Sequence, residues 1–167
     1  AGSPATAAEA VGLINARRPL LIDLNCGCPV PKIIKSGAGS ALMKDPDTLA
    51  EIVRAMKQST DIPVTVKIRT GWDALSLNYL EAAEKAVRAG AALVTMHART
   101  RSQGYGGTAD WKHLGILKKE LGDIPVVGSG DLFSPEEIRR MMEETGIDGV
   151  MLARGAIGNP FLFRETR

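Results

Sequence analysis

Cysteine is scarce in this chain of 167 residues, and so is net charge. The two cysteines, Cys26 and Cys28, are separated by one residue, a spacing that builds neither a disulfide framework nor the paired CxxC arms of a zinc site. A reducing compartment is the simpler setting for them. The formal net charge of +2 is too small to announce a nucleic-acid binder, so any such partner has to be argued from where individual cations sit. No apolar run approaches the roughly 18 residues of a membrane span, and the first residues carry neither the basic nor the apolar region of a signal peptide. The expectation is a soluble, cytoplasmic protein with no membrane partner. No GxGxxG follows the first candidate strand, which removes the main signature of a dinucleotide-binding open sheet.

What is present is apolar material for one buried core, 44% of residues, arranged in a regular alternation. β-rich runs near 20–25, 63–68, 92–97, 125–129 and 148–153 are separated by amphipathic stretches, which reads as a βαβ series. Ser3-Pro4, Asp45-Pro46 and Ser134-Pro135 each place a capping side chain before a proline whose missing N–H is no loss in a first turn. Ser134 with Glu137 makes a capping box. Leu49, Ile52, Val53 and Met56 give one helix a single apolar stripe. Gly90, Gly122 and Gly146 are expected to end helices in the left-handed conformation. Asp61-Ile62-Pro63-Val64 recurs as Asp123-Ile124-Pro125-Val126, a weak internal repeat.

Polar residues stand at the C-terminal end of each strand run: Asn25 and Cys28, Lys67 and Arg69, His97 and Arg99, Asp131, and Arg154. Barrel enzymes place their chemistry on that rim. The fold expected is therefore α/β, a partial TIM (β/α)8 barrel of about five parallel strands with alternating helices. A complete barrel takes about 250 residues, so about three units are expected to lie N-terminal to the pattern seen. On residues alone each candidate has a plain alternative. A free cysteine such as Cys28 is more often a small buried hydrophobe, and Lys67 in an apolar strand is expected to be paired or snorkelling. His97 reads equally as a satisfied core histidine. Arg99 and Arg101 suit either solvent or phosphates. Ser129-Gly130-Asp131 and Arg154-Gly155 lie where barrels build phosphate sites from backbone N–H groups, or where glycine only marks a turn. His113 reads as a surface residue on a helix.

Leu24-Asn25-Cys26-Gly27-Cys28-Pro29, followed by Lys35-Ser36-Gly37-Ala38-Gly39-Ser40-Ala41-Leu42-Met43, resembles the signature of tRNA-dihydrouridine synthases. Val66 to Trp72, His97 to Arg101, Gly128 to Asp131 and Ala153 to Ala156 follow in that family's order. The resemblance covers nearly the whole chain. It departs at Ser129, where the family usually has Asn, and at Ala153, where it usually has Gly.

The resemblance implies an FMN-dependent oxidoreductase that reduces uridine in tRNA to 5,6-dihydrouridine, with NADPH reducing the flavin. It makes Cys28 the general acid at C5 of the uracil ring. It assigns Lys67, His97, Ser129, Gly130, Asp131, Ala153 and Arg154 to the cofactor, and Asn25, Arg69, Arg99 and Arg101 to the substrate side; no metal is implied. Residues 1–167 would be the catalytic barrel portion, without the first barrel strands and the C-terminal helical tRNA-binding domain. A thiol is suitable because its ordinary pKa of about 8.5 keeps it protonated near neutrality. Two other readings stay open: another FMN barrel oxidoreductase of the dihydroorotate dehydrogenase kind, and a non-catalytic RNA-binding remnant. By itself, the open sheet is expected to self-associate through its edges.

Overall fold

The computed structural model describes residues 1–165. Helix α1 (Pro4–Asn15) leads into β1 (Ile22–Asn25). A short α2 (Pro31–Lys35), a 3-10 turn (Gly39–Lys44) and α3 (Pro46–Gln58) then lead to β2 (Val64–Arg69). Next come α4 (Tyr79–Arg88) and β3 (Val94–His97), α5 (Lys112–Leu121) and β4 (Val126–Ser129), and α6 (Pro135–Thr145) and β5 (Gly149–Val150). A second 3-10 turn (Arg154–Ala156) and α7 (Leu162–Glu165) follow.

The strands form one sheet of five in the order β1-β2-β3-β4-β5, and every pairing is parallel. A doubly wound sheet reverses its strand order at a switch point. This one never does, and α1, α3, α4, α5 and α6 pack one upon the next. The result is an arc of a (β/α)8 barrel, helices outside, with β1 and β5 each paired on one side only among the described residues.

Local chemistry explains most of the boundaries. Asp45 caps α3 by accepting from Thr48 N at 3.0 Å, and the stripe of Leu49, Ile52, Val53 and Met56 is buried against the sheet. In α6 the Ser134–Glu137 capping box is complete. Both copies of the Asp-Ile-Pro-Val repeat do the same work: Pro63 O accepts from Ile22 N at 2.9 Å and Pro125 O from Val94 N at 3.1 Å, so each proline opens a ladder it cannot itself donate to.

Alternation along β2 separates two faces. Val64, Val66 and Ile68 are fully buried on the helix side, each worth about 1.5–3 kcal/mol of burial; Thr65, Lys67 and Arg69 turn to the barrel interior. On β4 the helix side is tighter still. A Cβ at Gly128 would stand 2.5 Å from Ile147 and 2.8 Å from Met141, so any side chain there would push α6 off the strand.

Three expectations need correction. The last strand is Gly149–Val150 rather than 148–153, because it pairs only with β4 and the chain turns away after Met151 N bonds Gly128 O at 2.8 Å. The first strand starts at Ile22, and Leu20 is exposed. Of the three helix-ending glycines only Gly146 is left-handed α (φ 67, ψ 17). Gly122 (φ 58, ψ −113) and Gly90 (φ 109) have positive φ in other regions.

Candidate functional site

The register sets Asn25 beside Lys67, Arg69 beside His97, and His97 beside Ser129. The C-terminal strand ends thus share one rim, which surrounds a cavity of about 350 Å³. Its wall includes Asn25, Cys28, Lys67, Arg69, His97, Ser129, Gly130, Asp131, Ala153 and Arg154.

Past β1 the chain makes a tight turn. Asn25 Oδ1 accepts from Gly27 N and Cys28 N, both at 3.0 Å, so the amide expected to read a ligand also holds the turn that presents Cys28. Cys26 faces away, fully buried, its thiol 3.7 Å from Leu24 O; burial pushes its pKa far up, which keeps it an inert thiol. Deeper on the same strand, Asp23 accepts from Thr65 Oγ1 at 2.7 Å, and burial raises its pKa.

Lys67 stands above it with no hydrogen bond or ion pair among the described residues; burial and then the charge of Arg69 lower its pKa, with Asp23 opposing. Burial, reinforced by Arg69, Lys67 and Arg99, pushes His97 down to about 3, so its imidazole is neutral at pH 7. Arg99 Nη1 lies 3.5 Å from His97 Nε2. A guanidinium only donates, so that contact suits the tautomer with its ring proton on Nδ1.

The β3–α5 loop, residues 98–111, closes the rim on one side. Arg99 was expected on its surface and is instead 2% exposed. It donates to Gly106 O at 3.1 Å, Gly107 O at 2.7 Å and Asp131 Oδ2 at 2.7 Å. The loop has no larger aliphatic side chain to bury, so its carbonyls are satisfied by a guanidinium in place of an apolar core. Arg69, 3% exposed, does the same from β2. Arg101 does not line the cavity: its guanidinium lies over Trp72 at 4.6 Å, beside Lys44 at 3.7 Å from the same ring. Lys32 and Lys35 are exposed on α2.

Asp131 adopts φ 54, a conformation rare outside glycine that turns its carboxylate under the loop. Burial opposes its ionisation, but hydrogen bonds from Arg99 and Ala109 N, with the charges of Arg99 and Arg154, hold it below the usual range. Arg154, 3.2 Å from Asp131 Oδ1, also lies over the rings of Tyr105 at 4.5 Å and Phe133 at 5.4 Å.

Residues not singled out from sequence complete the wall: Val30, Tyr105, Leu132, Phe133 and Met151. Tyr105 carried a usable signal, since it sits between Gly104 and Gly106 on a long strand-end loop, where function concentrates. His113 is not a plain surface residue. Its Nδ1 lies 3.0 Å from Tyr79 Oη and its Nε2 3.7 Å from Asp110, which ties α5 to α4.

No group of His, Cys, Asp and Glu able to hold a metal ion occurs among the described residues, and no helix there is long and apolar enough to cross a membrane.

The profile of the family described as Dihydrouridine synthase (Dus) matches residues 1–167. A "Probable tRNA-dihydrouridine synthase" of Treponema pallidum is 49% identical over 99% of this chain and 51% of its own length. A "Probable tRNA-dihydrouridine synthase 1" of Synechocystis is 46% identical over 95% of the chain and 44% of its own. "tRNA-dihydrouridine synthase B" of Pseudomonas putida is 43% identical over 87% and 43%. The chain thus spans about half the length of the curated relatives it matches. Among solved structures, a "putative mandelate racemase/muconate lactonizing enzyme" of Sorangium cellulosum superposes with TM-score 0.59 at 17% identity, covering 90% of this chain and 36% of that one. That likeness concerns the fold alone.

Proposed function

The chain belongs to the dihydrouridine synthase family, and on that premise we propose that it carries the catalytic barrel portion of an FMN-dependent enzyme that reduces uridine in tRNA to 5,6-dihydrouridine, with NADPH as reductant. One observation supports this best. A solvent-reachable thiol, Cys28, shares a single cavity with Lys67, Arg69, His97 and Arg154 on the rim where barrels do chemistry.

The donor set suits a planar, phosphate-bearing cofactor. Lys67 and Arg154 supply cations, His97 a neutral imidazole and Ser129 a hydroxyl, in a cavity of about 350 Å³, within the range of ligand sites. Lys67 and His97 would hold the ring system. Ser129 and Arg154, with the backbone N–H groups at Gly130, Asp131 and Ala153, would hold the phosphate end, the Asp131 carboxylate itself being engaged by Arg99 and Arg154. FMN, when bound, would supply the hydride that adds to C6 of the uracil.

Charge then builds toward C5, and the Cys28 thiol donates its proton there, leaving a thiolate that is reprotonated from solvent. Asn25 fixes the turn that presents the thiol. A duplexed or stacked base cannot enter such a cavity, so the target uridine has to be flipped out of the tRNA. The remaining barrel strands and a helical tRNA-binding domain belong, in this reading, to the rest of the protein, whose place of action is the cytoplasm.

The test is direct. The complete protein, purified and incubated with NADPH and an unmodified tRNA transcript, should copurify with yellow flavin and yield dihydrouridine in the digested RNA. Turnover of free dihydroorotate without dihydrouridine would place it with another flavin barrel, and colourless, inactive protein would make it an RNA-binding remnant. The 167-residue chain alone, with two open sheet edges, is proposed to self-associate and to bind FMN weakly; a monodisperse monomer in light scattering with stoichiometric FMN would refute that.

A further inference from the structure

Much of the polar structure around Cys28 serves its backbone. Asn25 Oδ1 takes the N–H groups of Gly27 and Cys28, and Cys28 O accepts from Ser40 N at 3.0 Å. The Gly27 carbonyl accepts from Arg69 Nε at 2.8 Å. The peptide unit joining Gly27 to Cys28 is therefore held at both ends, its carbonyl from β2 and its N–H from β1. The same Arg69 guanidinium uses Nη1 to donate to Thr100 O at 2.9 Å and Gly104 O at 3.1 Å, in the loop that carries Tyr105 across the rim. A planar guanidinium holds carbonyls from two segments through separate nitrogens, whereas an ammonium acts from one point.

We infer that Arg69 is a positioning residue that couples the 99–107 loop to the Cys28 turn, so that ordering of the loop and placement of the thiol occur together. This rests on Cys28 being the proton donor. Both segments line one cavity, Cys28 from the β1 side and Tyr105 from the loop. A ligand that orders the loop under Tyr105 therefore also fixes the thiol through one buried side chain. Proton transfer is sensitive to such placement: a shift of about 1 Å costs roughly 10²-fold in rate.

The test compares the complete protein with its Arg69→Lys variant. Amide hydrogen exchange is expected to quicken about tenfold in peptides covering 25–30 and 99–107 together, with α3 and α4 unchanged. For tRNA reduction, kcat is expected to fall roughly 10²-fold with KM unchanged. Quicker exchange in neither segment, or in only one, overturns the coupling. A raised KM at wild-type kcat overturns it as well, because that is the signature of a substrate contact. Should the lysine variant not fold, Arg69→Gln carries the same comparison, since an uncharged amide costs less to bury and retains one donor nitrogen. Cys28→Ala measured alongside separates the two premises: full tRNA turnover in that variant removes the proton-donor reading, whereas the exchange coupling is read without turnover and stands or falls separately.

Discussion

Along β2, Val64, Val66 and Ile68 are fully buried among aliphatic neighbours on the helix side of the sheet. Across the rim, the 99–107 loop buries Arg99 instead, and its carbonyls at residues 100, 104, 106 and 107 are held by Arg69 and Arg99. The first region is stabilised by many interchangeable contacts, each small and non-directional. The second depends on a few directional bonds that share two guanidiniums and one carboxylate, so its losses should be coupled rather than additive. A cavity for chemistry can be built only on the second kind, because apolar packing offers nothing to position a proton.

The largest effect expected from this contrast falls on rate alone. Cys28→Ala in the complete protein should slow uridine reduction by about 10²–10⁴-fold, while flavin content, flavin reduction by NADPH and thermal midpoint stay at wild-type values. The side chain belongs to neither supporting layer. A variant that reduces tRNA uridine at the normal rate ends the proton-donor assignment; one that loses its flavin shows that the turn is structural.

Next in size is a matched pair. Arg99→Met leaves Asp131 without its buried partner and three acceptors, the Gly106 and Gly107 carbonyls and the Asp131 carboxylate, each short of a donor, a change of the kind that costs about 3–5 kcal/mol. Ile52→Ala in the α3 stripe costs about 2–5 kcal/mol through its cavity. Urea melts should therefore look alike for the two. They should part in the site: Arg99→Met is expected to quicken amide exchange through the whole loop and to weaken flavin retention, and Ile52→Ala to do neither. Identical loop exchange in both variants would erase the distinction drawn between the regions.

Proton linkage gives a smaller separation. His97 has a folded pKa of about 3 against about 6.5 for a free histidine. Between those values the unfolded chain binds the extra proton, so stability from this group is complete above pH 6.5 and is lost progressively as pH falls toward 3. His97→Gln should flatten that part of a stability–pH curve measured by urea titration, while apolar variants in α3 shift the curve without changing its slope. An unchanged slope in the histidine variant would mean that other groups carry the linkage.

The helix-side layer was legible in the sequence because it follows periodicity: the α3 stripe, the capping residues and the repeated Asp-Ile-Pro-Val all describe local rules that the fold obeys. The rim was legible as a set of residue types at strand ends but not as an arrangement. Nothing in the string distinguishes Arg99, which folds back under its own loop, from Arg101, which lies over Trp72; neither lines the cavity. That difference depends on Asp131, distant in sequence and held in a left-handed conformation. Asn25 reads in the string as facing a ligand, and it does line the cavity; its second use, holding a turn onto residues 27 and 28, becomes visible only with the backbone. The final strand was overextended for a related reason, because the apolar run continues past the point where a pairing partner exists.

Lys67 tests the boundary between the two layers, since it stands on a strand yet belongs to the cavity. Its ammonium has no hydrogen bond or ion pair among the described residues, and burial already depresses its pKa. Removing an unpaired, partly desolvated cation takes away a cost rather than a contact. What is lost is the packing of its methylene stem, a modest term for a side chain that is not fully enclosed. The two changes oppose one another, so Lys67→Ala should alter unfolding stability by no more than about 1 kcal/mol. Flavin retention should respond differently if the cation meets the cofactor's anionic edge, and dialysis of the variant should release flavin that the wild type keeps. Unchanged flavin content together with unchanged reduction kinetics would remove Lys67 from the cofactor set and leave it as a solvated interior lysine. A large loss of stability would instead mean that the ammonium has a partner in the rest of the barrel, on the face that β1 and β5 leave open.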